Sequence, residues 1–123
     1  MKSKKLDLRT FSPDVQTLVR HARKLLLKWL PDARETKDAS ARMIAYAYGP
    51  GYRGTVCTVV VSKVEIKIGI FNGSCFPDPE NLMRGSGKNH RHVPIKTADD
   101  LRHPGLKLLV GAASTACKIR LQL

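Results

Sequence analysis

Gly85-Ser86-Gly87-Lys88, followed by Arg91 and His92, is the stretch of this chain best suited to chemistry. Glycines free the backbone to turn its amides around an anion, and the lysine adds charge. The spacing is not that of a nucleotide-hydrolysing phosphate loop. Leu82 stands where the first glycine is required, and Asn89 where a Ser or Thr would coordinate magnesium. Two readings follow for Gly85, Ser86, Gly87, Lys88, Arg91 and His92: an anion-binding nest, or a flexible turn with a solvated lysine. If the segment is extended, His90 and His92 project to one side and could share a metal. No carboxylate or thiol lies near them in sequence, and Lys88 and Arg91 would repel a cation, so two ligands do not make a site.

Other reactive types are scattered. Cys57, Cys75 and Cys117 are odd in number and contain no C-x-x-C, which argues against a disulfide framework or a zinc knuckle. Cys57 falls in a strand pattern and Cys117 on an apolar helix face, where thiols are inert; Cys75 lies in a loop with no evident base. His21 and His103 are isolated, and His103 is placed to cap a helix opening at Pro104. Asp32, Glu35 and Asp38 recur every three residues and could form one acidic patch; solvated linker charge explains them equally well. No catalytic residue is assigned.

Positioning these residues requires a folded domain, and 123 residues with 42% hydrophobic content are enough for one without metal or disulfides. Twenty-two Lys and Arg against ten acids give a formal charge of +12, which favours anionic partners, nucleic acid among them. The charge is spread over the chain, with concentrations in a basic N-terminal arm (residues 1–11) together with the Arg20, Arg23, Lys24 and Lys28 face of the first helix, and in residues 81–98, which contain Arg84, Lys88, Arg91 and Lys96 and no carboxylate. Few aromatics are present to stack on bases, so any nucleic-acid binding would be weak and non-specific. No apolar stretch approaches a membrane span and no targeting segment is evident, so a cytosolic setting without membrane contact is expected.

Ser12-Pro13-Asp14 reads as a helix start, and Val15, Leu18, Val19, Ala22, Leu26 and Trp29 keep helical spacing as far as Pro31. Residues 32–42 are polar and charged and read as a linker or a ragged second turn. Residues 43–48 suggest a strand ended by Gly49-Pro50-Gly51, and 55–61 are dense in β-branched residues. Val64, Ile66, Ile68 and Ile70 alternate with Glu65 and Lys67, predicting a half-buried strand joined to its predecessor as an antiparallel hairpin. A long loop follows, with a helical turn from Asp78-Pro79-Glu80 through Met83. A short strand over 91–96, a brief helix opened by Thr97 and Asp100, and a last helix from Pro104 complete the order. The expected class is α+β, an antiparallel sheet with helices packed on one face.

Over residues 64–110 the chain resembles the YdhG-like family of bacterial domains of unknown function. The resemblance lies in Ile68-Gly69-Ile70-Phe71, Gly73, Pro77-Asp78-Pro79, Leu82, Gly85-Ser86-Gly87-Lys88 and Arg91-His92-Val93, with looser agreement in Leu30-Pro31-Asp32-Ala33 and residues 46–54. It implies a single secretion-chaperone-like α+β domain over residues 12–123, and supplies no mechanism. One branch of the family is thought to deliver iron from an acidic surface, as frataxin does. This chain departs from that pattern in its positive charge, and only Asp32, Glu35 and Asp38 suggest such a surface. The leading expectation is therefore a non-catalytic module for an anionic ligand or partner, with no cofactor; iron delivery and weak nucleic-acid binding are the alternatives.

Overall fold

The computed structural model describes residues 7–123, so Lys2, Lys4 and Lys5 of the expected basic arm lie outside the described residues. The rest of that segment is not free of the domain: Leu8 and Phe11 pack against the core. Ser12 then starts helix α1 (Pro13–Trp29), its Oγ accepting from the Val15 amide at 3.3 Å, with Pro13 in the first turn where a missing N–H costs nothing. Of the predicted face, Val15, Leu18, Val19, Ala22 and Leu26 are buried, and Trp29 is half-buried against the core.

Five strands follow the helix: β1 (Arg34–Asp38), β2 (Met43–Ala47), β3 (Thr55–Val61), β4 (Ile66–Ile70) and β5 (Arg91–Ile95). They form one sheet in chain order, every pair antiparallel. A short helix α2 (Ala98–Arg102) and helix α3 (Pro104–Leu121) close the chain. Asp100 opens α2 by accepting from the Lys96 and Thr97 amides, and His103 Nδ1 accepts from the Gly105 amide at 3.0 Å, the cap its position predicts.

The α+β class stands: α1 and α3 both pack on the central strands β3 and β4. Because strand side chains alternate, and directly paired residues share a face, the register sorts the whole sheet. Ile44, Tyr46, Cys57, Val59, Ile66, Ile68, Ile70, Val93 and Ile95 form the buried face beneath the helices. A bulge where Tyr46 and Ala47 meet Cys57 and Thr55 leaves Val56 as the extra residue, itself buried.

Three expectations are corrected. Residues 32–42 are not a linker, since Arg34–Asp38 pair along their whole length with β2. That strand has no apolar residue to announce it; main-chain bonds hold it, and Glu35 alone is partly buried, bonded to Tyr46 Oη at 2.7 Å and bidentately to Arg23. Asp78-Pro79 starts no helix. The Asp78 carboxylate accepts from the Leu82 and Met83 amides, and Asn81 at φ 52° turns the chain away after one loop. Val64 does not join the strand: it is 79% exposed in the β3–β4 turn, while Ile66, Ile68 and Ile70 are buried as expected. No helix among the described residues is long and apolar enough to cross a membrane.

Candidate functional site

The sheet face opposite the helices carries a row of residues running across all five strands, Thr36, Ala45, Thr58, Gly69 and His92, each paired directly with the next and small in all but the last. Small residues in the middle of that row hollow the face. The result is an open depression of about 700 Å³, floored by Ala45, Ala47 and Thr58 and walled by Met43, Tyr52 and Phe71. Gly69 is required there, because a Cβ would overlap Thr58 Oγ1.

One end of the depression is built from two loops. Gly54 lets the β2–β3 connection fold back on itself, its Cα facing the Gly49 backbone so closely that no side chain fits. Arg53 Nη2 donates to the Arg120 carbonyl at 2.7 Å, and Arg120 Nε donates to the Arg53 carbonyl at 3.1 Å, so the turn is pinned to the last turn of α3. Tyr52 projects from this pinned turn and is 80% exposed. Phe71 follows the inward Ile70 and therefore points to the helix-free face. Continuing the β4–β5 register by one step brings His90 opposite Phe71, and the Asn72 amide donates to His90 Nδ1 at 3.2 Å, fixing the ring. The three rings form a cluster, with centroids 4.5 Å apart for Phe71 and His90, 5.8 Å for Tyr52 and Phe71, and 6.5 Å for Tyr52 and His90.

Arg91 and His92, expected to act together, are neighbours in β5 and so lie on opposite faces of the sheet. Arg91 is half-buried beside Gly73, where a Cβ would come within 2.8 Å of its own. Its guanidinium donates to the carbonyls of Gly87 and His90, so it holds the loop closed rather than pairing with a carboxylate. Gly85, Ser86, Gly87 and Lys88 are exposed at the loop tip, and the loop's base is an antiparallel bridge between Arg84 and His92. His92 faces the open side. Partial burial holds its pKa below the usual imidazole value, and the nearby Lys67 and Arg84 charges add to this against Glu65.

The acidic patch does not form. Glu35 and Asp38, three apart in one strand, point to opposite faces, and Glu35 is committed to Arg23 and Tyr46. Asp32 lines the depression, and Asp38 accepts from Ser40 Oγ and the Ala41 amide. Among the described residues no group of three or more His, Cys, Asp or Glu is placed to hold a metal ion. The thiols of Cys57 and Cys117 are buried, and burial pushes Cys57 up to about 12; Cys75 is exposed.

The aromatic cluster is the feature that sequence reasoning passed over. Its members are about twenty positions apart, and only the cross-strand register joins them; the usable signal was the odd step from Ile66, Ile68 and Ile70 to Phe71. Charge on the segments that meet there is one-sided. Residues 39–64, 66–77 and 81–98 contain no Asp or Glu, and contribute Arg53, Lys67, Arg84 and Lys88. Compared with protein-family models, with curated proteins and with solved structures, the chain matches none.

Proposed function

We propose that this protein is a non-catalytic, cytoplasmic binding domain for an anionic ligand, related to the YdhG-like domains through residues 64–110, and that it binds on the helix-free face of its sheet. The observation that carries the reading is the open depression on that face, which Asp32 also lines, ending beside residues 39–64, 66–77 and 81–98, stretches that have cations and no carboxylates. The loop of Gly85, Ser86, Gly87 and Lys88 flanks this end, and supplies charge from its tip while Arg91 keeps it closed from the other side. A basic surface of this kind gains affinity by releasing counterions from a polyanion, so binding should weaken steeply with salt.

Inorganic polyphosphate, which has phosphates and no bases, tests the reading. A Lys67→Glu, Lys88→Glu double variant should lose at least tenfold in affinity, whereas Lys24→Glu with Lys28→Glu on the exposed side of α1 should lose much less. Equal losses, or no binding by the unaltered protein at low salt, would remove the sheet face as the site.

A further inference from the structure

We infer that the ligand is single-stranded nucleic acid, its bases stacking on the Tyr52, Phe71 and His90 rings and its phosphates running past Arg53 and Lys88. This rests on the anion-binding reading above and names the ligand that reading leaves open.

The cluster is not explained by packing. A ring that stabilised the fold would be covered, yet Tyr52 leaves 80% of its surface to solvent while its neighbour Arg53 is held to α3 by the exchange with Arg120. Phe71 is half-buried at the rim of the depression, and His90 is exposed with its orientation set by the Asn72 amide. Three rings held in place at the rim of an open sheet face offer π-surfaces to any base, independent of its identity. Sheet faces with such rings are suited to splayed single strands, whereas a duplex keeps its base faces stacked inside and presents only its edges and backbone. Arg53 adjoins Tyr52 in the chain and Lys88 stands two residues before His90, and residues 39–64 and 81–98, which contain them, have no acid to repel phosphate. Anion binding alone would need the cations and not the rings.

The test compares a labelled twelve-residue oligothymidylate with a twelve-unit abasic deoxyribose-phosphate strand of equal charge, by fluorescence anisotropy at low salt. The oligothymidylate should bind at least tenfold more tightly than the abasic strand. Tyr52→Ala should remove most of that preference and leave abasic binding unchanged, and Tyr52→Phe should restore it. Because Tyr52 is exposed, its variants should unfold at the same urea concentration as the parent. Equal binding of both strands, indifference to Tyr52→Ala, or tighter binding of a duplex of the same length would overturn the stacking inference and leave the anion site standing. Binding of neither strand would overturn both.

Discussion

Gly69 lies directly opposite Thr58 on the helix-free face, so close that a methyl group on the glycine would occupy the space of Thr58 Oγ1. Thr58, part of the floor of the depression, is only 4% exposed although no helix covers this face, because it packs closely against Gly69. Gly69→Ala should therefore cost about 1–3 kcal/mol through overpacking. Urea denaturation of a double-mutant cycle with Thr58→Ala checks this: the pair should be more stable than the two single effects sum to, by about 1 kcal/mol. Strict additivity would mean that the two side chains do not compete for space.

Ile68 and Val64 separate the strand from its turn. Ile68 is 1% exposed, and Ile68→Ala should cost about 2–5 kcal/mol. Val64→Ala, in the exposed turn, should stay within about 0.5 kcal/mol of the parent. Similar denaturation midpoints for the two variants would place Val64 back in the core.

The Arg23, Glu35 and Tyr46 group gives the domain an acid-sensitive joint between α1 and the first strand. The Arg23 guanidinium beside Glu35 holds its carboxyl below the usual value of 4.5, and the Tyr46 hydroxyl adds to this against the cost of burial. A carboxylate lowered on folding stabilises fully above its unfolded value, and that contribution fades as pH falls through the folded value. Glu35→Gln should thus be about 1–2 kcal/mol less stable than the parent at pH 7. The difference should shrink below about pH 4. A gap unchanged down to pH 2.5 would show that the charge contributes nothing.

The same residues show what local sequence can and cannot reveal. Ser12-Pro13 and Asp78-Pro79 carry one signature. The first is followed by apolar residues at helical spacing that bury a face, and becomes α1; the second is followed by no such spacing, and its carboxylate closes a turn. Ile66, Ile68 and Ile70 announce their strand because one face is wholly buried, while Arg34–Asp38 bury almost nothing and are held by main-chain pairing that leaves no trace in side-chain type. Gly85, Ser86, Gly87 and Lys88 were legible as a loop. The strand expected over 91–96 already sent Arg91 and His92 to opposite faces, whereas the meeting of Tyr52, Phe71 and His90 depended on a register that no single segment encodes.

The Arg84–His92 bridge bears on how the sheet meets other chains. A sheet edge normally offers a row of free donors and acceptors to which a strand from another molecule can add. Along β5 the His92 N–H and C=O point outward and are taken by Arg84, and residue 94, whose amide would point the same way, is a proline with no donor. At the opposite edge, Arg34, Lys37 and Asp38 present charges of both signs, and Glu35 is an inward-facing charge on an edge strand. Main chain guards one margin of the sheet and side chains guard the other, so neither favours strand-to-strand aggregation, and the broad face remains the surface on which a ligand can be received.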